Sequence, residues 1–341
     1  MIREITVVLV AWNDGEDLAE ALRSIERARS RVPPGGVRVS AVVVDNGGAN
    51  LSTEGLDALL PGARLLVNAV NRGFGPAANQ GAAAATGDAI LFLNPDTRAE
   101  GEPFASIGRA FDADPGIVAV APRLLDEEDR GEDARSSRRL APPGAEDQAT
   151  FQLRRLPTLA SDARELLLAD HAWPNNPWRR RDRYADDDRT KSFDAEQAAA
   201  AALAVRRDAF ERAGGFDERF VPAWHEDVDL CARLLEHGRI AYVPDAGFRH
   251  RGGRAADTLG YARFLPIFYA NALRYRKKHY RASARLIYRP LLAAGMLLRL
   301  AVLPFRRAVP RSRREAARAY VRVLALAFRR APDPSRLTPR A

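Results

Sequence analysis

Polar side chains follow a short apolar run near residue 90, shortly after a glycine-rich turn. The run Ala89–Leu93 ends at Asn94-Pro95-Asp96, and the turn is Gly73-Phe74-Gly75. Open α/β sheets bind their ligands at the C-terminal ends of the strands, where Asp96 would lie. A carboxylate beside such a turn suits Mg²⁺ or Mn²⁺ bound to a diphosphate, since these ions take few ligands from protein. Asp96 is therefore a candidate metal ligand; the alternative is that Asn94-Pro95-Asp96 is only a turn that closes the strand.

A second acidic group, Glu226 and Asp227, begins a predicted helix behind Trp224 and His225. An incoming nucleophile needs a general base, and either carboxylate could serve. The alternative is a capping role, because acidic residues in a first helical turn complement the helix dipole. His250 follows the last predicted strand. It is a candidate metal ligand or phosphate contact, and the alternative is a structural role.

Strands alternate with helices along the first part of the chain, which predicts a mostly parallel sheet flanked by helices. Several strands end in polar, turn-forming groups, among them Trp12-Asn13-Asp14 and Asp45-Asn46-Gly47. We expect these groups and Asp96 to converge at one edge of the sheet, as a ligand crevice. The predicted strands cover residues 5–11, 37–44, 63–67, 89–93, 117–121 and 240–243.

Several other classes of protein are disfavoured by the motifs. Gly73-Phe74-Gly75 lacks the later glycine of the dinucleotide fingerprint, and the sequence has neither a phosphate-binding P-loop motif nor a Gly-x-Ser-x-Gly elbow. The single cysteine, Cys231, precludes an internal disulfide and fits a reducing compartment. The N-terminus gives no signal peptide, so we predict a cytoplasmic protein.

The net charge of +9 is concentrated in the C-terminal tail, where no acid occurs between Asp257 and Glu315. This favours an anionic surface as a partner and argues against nucleic-acid binding. The apolar-rich residues 291–303, between Pro290 and Pro304, are too few to span a bilayer, which takes ~20 residues. We predict that the tail lies in the membrane interface on the cytoplasmic face; packing on the domain and a dimer contact are the alternatives.

Residues 124–194 are rich in acids, arginines and prolines and have few apolar runs. We interpret them as an insertion over the crevice, partly mobile and in contact with the second substrate. A solvated, functionally neutral loop is the alternative.

Six ordered motifs resemble the inverting family-two glycosyltransferases, most of all their bacterial rhamnosyltransferase-like branch. The motifs are VVLVAWND (7–14), VVVDNGG (42–48), NRGFGPAANQG (71–81), ILFLNPDT (90–97), VRRDAFERAGGFDERF (205–220) and HEDVDLCARL (225–234). The resemblance covers residues 5–253 apart from the insertion. It implies a GT-A fold, which is Rossmann-like, with a nucleoside-diphosphate sugar as donor and a divalent cation, Mg²⁺ or Mn²⁺, as cofactor.

The resemblance assigns donor-side roles position by position. Trp12 stands where the family has an aromatic residue beside the base, and Asp45 matches the acid that contacts the nucleoside. Asn71 opens the segment that matches the donor loop. The implied nucleotide-sugar-binding residues are Trp12, Asn13, Asp45, Asn71, Gly73, Gly75 and Asn94.

The resemblance also assigns the metal and the base. Asn94-Pro95-Asp96 occupies the family's Asp-x-Asp position with asparagine in the first place, so Asp96 is the implied metal ligand, and His250 matches a histidine found after the last core strand. Asp227 matches the catalytic base, and Glu226 assists acceptor binding. Glu196-Gln197-Ala198 replaces the more usual Trp-x-x-Gly-Ala sequence in the wall that borders the acceptor.

We therefore predict an inverting, metal-dependent glycosyltransferase. It transfers a sugar, with rhamnose as one candidate, to a hydroxyl of a glycan or lipid-linked acceptor in cell-envelope polysaccharide synthesis. The GT-A domain is predicted over residues 1–257, divided into a donor half (1–123), the insertion (124–194) and an acceptor half (195–257), and the basic helical tail over residues 258–341. The alternative is a catalytically silent nucleotide-sugar-binding or scaffold protein; the oligomeric state is left open.

Overall fold

The computed structural model describes residues 1–48, 51–126, 151–252, 259–305 and 312–328. In chain order its strands are β1 (Glu4–Ala11), β2 (Arg38–Asp45), β3 (Arg64–Val67), β4 (Ala89–Leu93), β5 (Thr97–Glu100), β6 (Ile117–Asp126), β7 (Leu153–Arg154), β8 (Phe193–Ala195), β9 (Gln197–Ala198), β10 (Ala202–Arg206) and β11 (Arg239–His250). Nine of them form one sheet in the order β3-β2-β1-β4-β10-β6-β11-β5, with β8 paired to β11, and β7 pairs with β9 separately.

The central sheet is mostly parallel, as the alternation of strands and helices predicts. Strands β3, β2, β1 and β4 are parallel neighbours, and β11 is parallel to β6. Strand β10 lies antiparallel between β4 and β6. The register pairs Ala11 with Asp45 and Leu9 with Leu93, so the C-terminal ends of β1, β2 and β4 meet at one edge.

Helices cover both faces of this sheet. They are α1 (Gly15–Arg29), α2 (Thr53–Leu59), α3 (Phe74–Ala84), α4 (Pro103–Ala113), α5 (Leu159–Leu166), α6 (Ala169–Ala172), α7 (Pro177–Asp182), α8 (Arg207–Arg212), α9 (Glu226–Leu234), α10 (Tyr261–His279), α11 (Ala282–Val302) and α12 (Arg313–Phe328). Alternate residues of β1 point to opposite faces. Leu9 packs in a core with α1 and α4, whereas Val8 packs in a second core with α3 and α9.

Strand β11 is longer than the predicted residues 240–243. It continues through Pro244 and Asp245 because the register with β6 shifts between Val243 and Gly247, and such an irregularity accommodates a residue that cannot donate to the ladder. The added length pairs β11 with β5 and sets His250 opposite Thr97. This pairing carries His250 to the end of β4.

The described part of the insertion packs against the C-terminal helices. The guanidinium of Arg276 in α10 forms a buried ion pair with Asp162 in α5, and Arg299 Nη2 in α11 donates to the Glu165 carbonyl at 2.9 Å. Helix α10 is also tied to α9, because Lys278 and His279 lie 2.8 and 2.7 Å from Asp229. The predicted domain boundary at residue 257 and residues 127–150 of the insertion lie outside the described residues.

The prediction that Pro290 bounds the apolar helix of the tail is wrong. Helix α11 continues through Pro290. Proline has no N–H, so the carbonyl of Leu286 loses its helical hydrogen bond. Both residues lie on the exposed face of the helix, where solvent can satisfy that carbonyl. The helical stretch Ala282–Phe305 is long and apolar enough, by length and composition alone, to cross a membrane. It is the single such stretch among the described residues, and 39% of its most apolar 18-residue segment is buried. The predicted length limit therefore does not hold.

Candidate active site

Asn46, at the end of β2, organises the loop that follows β3. Its Nδ2 donates to Asn71 Oδ1 at 3.1 Å and to the Gly73 carbonyl at 3.2 Å, and its Oδ1 accepts from Arg72 N at 3.0 Å. Asn68 Nδ2 donates to the same Oδ1 at 3.1 Å. A single buried amide thus fixes the predicted donor loop against the strand edge.

The turn at Gly73 requires glycine, whereas Gly75 has a packing role. Gly73 has φ of +88°, and a Cβ there would lie 2.9 Å from Val221 Cγ1 and 3.0 Å from the Pro222 carbonyl oxygen. Gly75 lies buried in the first turn of α3, where a Cβ would meet Phe216 Cβ at 3.5 Å, an ordinary contact. The part of both residues in donor binding stays a prediction.

Trp12, Asn13 and Asp45 lie at the same edge. Asn13 is exposed in a left-handed conformation (φ 58°), and the ideal Cβ position of Gly48 is 2.5 Å from its Oδ1, so the β1 and β2 loops touch. Asp45 is buried, and its Oδ1 accepts from the Gly47 and Gly48 N–H groups. Asp45 therefore shapes the second of these loops.

Asp96 and His250 form a pair at the end of β4. His250 Nε2 lies 3.2 Å from Asp96 Oδ1 and 3.4 Å from Asn94 Nδ2, and Gly252 N donates to Asp96 Oδ2 at 3.1 Å. Burial alone would raise the pKa of Asp96, but His250 and the Gly252 N–H hold it below its usual value. The carboxylate is consequently ionised at neutral pH.

The Asp96 and His250 pair fits a divalent cation that is completed by other ligands. Among the described residues no group of three His, Cys, Asp or Glu side chains could hold a metal ion. Asp96 supplies a carboxylate oxygen, which Mg²⁺ and Mn²⁺ favour, and His250 supplies a neighbouring imidazole nitrogen. One or two protein ligands are usual when substrate phosphates and water supply the rest.

Glu226 and Asp227 begin α9, and the helix N-terminus holds Asp227 more firmly than Glu226. Asp227 Oδ1 accepts from Val228 N at 2.8 Å and Oδ2 from Ala200 N at 3.3 Å. Glu226 is buried, and its Oε2 has no hydrogen-bond partner. Burial raises the pKa of both carboxyls, and the neighbouring Asp227 raises that of Glu226 further, well above its usual value. Of the two carboxyls, Glu226 is the one whose surroundings favour the protonated form more strongly.

The segment of Ala199, Ala200 and Ala201 lies between the two acidic groups. Ala200 N donates to Asp227, and the next carbonyl, that of Ala201, accepts from Asn94 N at 3.0 Å. Ala200 and Ala201 thus connect the Asp227 carboxylate with the Asn94 end of β4. Phe151 reinforces the link, since its ring stacks on His250 (6.3 Å between centroids) and also lines the cavity beside Asp227.

A cavity of about 190 Å³ opens beside Glu226 and Asp227. It lies between the insertion and helices α9, α10 and α11. Its walls include Arg154, Trp224 and Tyr269. The described part of the insertion thus lines the space next to the predicted base.

Asp229, by contrast, has a structural role. It is fully buried and is contacted by Arg233 of its own helix and by Lys278 and His279 of α10. These groups lower its pKa against the opposing effect of burial. Asp229 anchors α10 and is not part of the cavity wall.

The sequence reasoning missed three residues at this site. Asn46 was hidden inside a strand-end turn, and Arg154 inside the insertion. Arg251, next to His250, is held by Asp17, with Nη1 3.0 Å from both carboxylate oxygens, and its N–H donates to the Asp96 carbonyl at 3.1 Å. Only the position of Arg251 directly after His250 could have indicated it.

The mostly parallel sheet with helices on both faces is the architecture of the GT-A glycosyltransferases. The chain belongs to Glycosyl transferase family 2, whose family profile matches residues 6–212. It is similar to the N-acetylglucosaminyl-diphospho-decaprenol L-rhamnosyltransferase of Mycobacterium tuberculosis, with 28% identity over 261 residues, 72% of this chain and 75% of that protein. The pre-mycofactocin glycosyltransferase of the same organism is also 28% identical, over 73% of this chain and 43% of that protein.

Solved structures confirm the fold. A mannosyltransferase of Pyrobaculum calidifontis in complex with GDP-mannose and Mn²⁺ has a TM-score of 0.54 at 14% identity, over 96% of this chain and 87% of its own. GalNAc-T7 with UDP, GalNAc and Mn²⁺ has a TM-score of 0.50 at 13% identity, over 85% of this chain and 54% of its own. The solved structures confirm the predicted GT-A fold. The family match and the mycobacterial relatives confirm the predicted rhamnosyltransferase-like membership of family two and a sugar-transferring activity.

Proposed function

We propose that this protein is a metal-dependent, inverting glycosyltransferase with Asp227 as its general base. The observation that carries the proposal is the position of Asp227, whose carboxylate lines a cavity and is linked through Ala200 and Ala201 to the Asn94 end of β4. Such an arrangement supports a donor side at Asp96 and an acceptor side at Asp227.

In the proposed reaction the acceptor hydroxyl gives its proton to Asp227 as its oxygen attacks C1 of the donor sugar. The bond between C1 and the diphosphate oxygen breaks, and its electron pair leaves with the nucleoside diphosphate. Attack from the face opposite the leaving group inverts the anomeric centre. A base with a raised pKa is better matched to neutral pH. The raised pKa of Glu226 favours its protonated form, which would donate a hydrogen bond to the acceptor.

The donor would bind at the edge formed by β1, β2 and β4. We assign the nucleoside to Trp12, Asn13 and Asp45, and the diphosphate to the loop that begins at Asn71 and to Asn94. Asp96 and His250 would hold the divalent cation, which when bound neutralises charge on the leaving diphosphate. Arg251 next to His250 is fixed by its ion pair with Asp17, and its backbone N–H donates to the Asp96 carbonyl.

The acceptor would enter through the cavity. The name of the mycobacterial rhamnosyltransferase specifies a lipid-linked diphosphate acceptor, and on that likeness we propose a glycan or lipid-linked acceptor in cell-envelope synthesis, with rhamnose as the first donor sugar to test. The proposed units are the donor half (1–123), the insertion (124–194), the acceptor half (195–257) and the tail (258–341). In this scheme the insertion and tail build the acceptor site.

We also propose that the tail rests on the cytoplasmic face of an anionic membrane. The outward face of α11 carries apolar residues at helical spacing, and Leu286 and Leu297 are 76% and 55% exposed. The exposed apolar residues of this face are Leu286, Ile287, Pro290, Ala294, Leu297 and Ala301. Arg281 and Arg285 flank it and are exposed, a combination that suits anionic lipid.

A donor panel tests the proposed function directly. Purified protein is mixed with nucleotide sugars, deoxythymidine diphosphate rhamnose among them, with Mg²⁺, with Mn²⁺ or with EDTA. We expect one donor to raise the melting temperature and to be hydrolysed slowly, in both cases only with the metal. Protection without turnover by any donor would favour the silent binding protein, and no effect from any donor would contradict both.

A further inference from the structure

The cavity beside Asp227 contains an arginine whose guanidinium has no hydrogen-bond or ion-pair partner among the described residues. Arg154 lies in β7 and lines the cavity, and its Nε is buried without a hydrogen-bond partner. Burial lowers its pKa, and no side-chain hydrogen bond or ion pair within the described residues engages its guanidinium. Arg154 as a whole is half-buried, and its buried, unpaired Nε costs free energy that a ligand's hydrogen bond would offset.

The other arginines of the cavity, all among the described residues, have partners. Arg155 pairs with Glu196 at 2.7 Å, Arg276 pairs with Asp162, and Arg179 Nη1 donates to the Pro174 carbonyl at 2.6 Å. Arg183 has an interaction of its own as well. Arg154 is therefore the cavity arginine available to a ligand.

The acids near Arg154 do not neutralise it fully. Its attractive partners at longer range are Glu165 and then Asp227. Burial raises the pKa of Glu165, which favours its neutral form, and Asp227 also has a raised pKa. Neither acid forms a hydrogen bond or an ion pair with the Arg154 guanidinium among the described residues, so the guanidinium is open to a ligand in the cavity wall.

Strand pairing sets Arg154 close to the proposed base. Arg154 is opposite Gln197 in the β7–β9 ladder, and three residues further along, Ala200 donates its N–H to Asp227. Two further buried groups of the same wall have unpaired polar atoms, His225 Nδ1 and Glu226 Oε2. His225 Nε2 lies 3.1 Å from Arg276 Nη1, so Nδ1 carries the proton and is a donor.

We propose that Arg154 binds an anionic group of the acceptor, a phosphate or a carboxylate, next to the sugar whose hydroxyl reacts at Asp227. The unpaired donor of His225 and the carboxyl of Glu226 would then contact that sugar's hydroxyls. This inference rests on the proposed function and makes Arg154 a specificity-determining residue for charged acceptors.

Calorimetric binding of small acceptor fragments tests it without turnover. The probes are the 1-phosphates of glucose, galactose and N-acetylglucosamine, their neutral methyl glycosides, and methyl glucuronide. The full chain is titrated in EDTA, so that binding through a metal at the donor side is suppressed. The proteins are the wild type, Arg154→Gln, Arg154→Lys and, as a control, Arg180→Gln, an exposed arginine of the insertion that pairs with Asp186.

We expect the wild type to bind a charged probe about 10- to 100-fold more tightly than its neutral partner, as a charge-assisted hydrogen bond permits. Arg154→Gln should lose this preference, Arg154→Lys should recover part of it, and Arg180→Gln should keep it. Preference for the phosphate or for the glucuronide identifies the acceptor's anion. No preference in the wild type, or an equal preference in Arg154→Gln, would overturn the proposal.

Failure of the glycosyltransferase proposal and failure of the Arg154 proposal give different experimental results. If the donor panel gives neither hydrolysis nor protection, the glycosyltransferase proposal fails whatever Arg154 binds. If Arg154→Gln hydrolyses donor normally and also keeps the charged-probe preference, only the role of Arg154 fails. Because the variant removes an unpaired charge, we expect its melting temperature to match or exceed that of the wild type.

Discussion

Glu226 and Asp227 are neighbours in the chain, but their carboxylates have different surroundings. Both Asp227 oxygens accept backbone N–H groups, whereas Glu226 Oε2 is buried without a partner. At the residue scale this difference separates their proposed roles, since N–H donors favour the ionised form and burial favours the neutral one. Asp227 is suited to accept a proton and Glu226 to hold one.

The pH dependence of turnover should report on Asp227. A base must be ionised, so the rate should fall as pH drops through its pKa, which burial raises above the usual value. The charge of Arg154 lowers that pKa, so Arg154→Gln should raise it and move the acid limb to higher pH. Donor hydrolysis profiles measure this, with Arg180→Gln as the control; an unmoved limb would contradict the electrostatic coupling.

At the element scale, the donor loop is positioned by the segment packed on it. Phe74 N donates to the Pro222 carbonyl at 2.7 Å, and Gly73 lies against Val221 and Pro222. Those two residues precede α9, which begins with the proposed base. The loop and α9 are consequently coupled by direct contact.

Gly73→Ala should therefore be costly for two separable reasons. Gly73 has φ of 88° and ψ of 163°, a backbone conformation that is essentially restricted to glycine and costs another residue about 1–3 kcal/mol. The Cβ of an alanine there would also clash with Val221 and Pro222. Gly62→Ala is the control for a positive φ without a steric clash, because Gly62 has φ of +75° and nothing within 4 Å of its Cβ position. In urea unfolding with donor titrations, Gly73→Ala should lose more stability than Gly62→Ala and bind donor more weakly. Equal losses would contradict the packing account.

The elements that sequence reasoning predicted well are those with a single local signal. The buried strands β1, β2 and β4 are continuous apolar runs followed by polar turns, so both their existence and their functional ends were predictable. Asp96 and Asp227 were candidates for the same reason, because an acid at an element's end is visible in the sequence. Their roles remain predictions.

The features that were missed depend on packing between distant segments. The length of β11 depends on a register shift against β6, and the continuation of α11 through Pro290 depends on which face is exposed. Arg154 was not predictable, because only the fold shows which arginines of the insertion find acidic partners. The composition of the insertion predicts a charged segment but does not predict which of its charged side chains form ion pairs.

At the scale of the whole molecule, the tail is part of the same structure as the proposed acceptor site. Tyr288 and Met296 on the inner face of α11 are buried, while Leu286 and Leu297 on its outer face are exposed. The cavity is lined by the inner face, since Tyr288 borders it. In the proposed scheme the inner face of α11 therefore borders the acceptor, and its outer face contacts the membrane.

The double substitution Leu286→Gln with Leu297→Gln should weaken membrane binding and leave the fold intact. Losing two inserted leucines should reduce partitioning about tenfold or more. Co-sedimentation with phosphatidylcholine vesicles, with and without phosphatidylglycerol, measures this, and high salt should weaken binding to the anionic vesicles. Val67→Gln, a comparably exposed position on β3, is the control. Unchanged sedimentation of the double variant would contradict the proposed membrane face.

Asp96 and Asp227 have separate proposed roles, Asp96 in metal and donor binding and Asp227 as the general base. Paired variants test this separation most directly. Donor affinity with Mn²⁺ is measured by calorimetry, and turnover by release of nucleoside diphosphate, for Asp96→Asn and Asp227→Asn. We expect Asp227→Asn to bind donor like the wild type and to lose about 10²–10⁴-fold in kcat, whereas Asp96→Asn loses the metal-dependent part of donor binding. Near wild-type turnover by Asp227→Asn, or the same binding defect in both variants, would contradict the account.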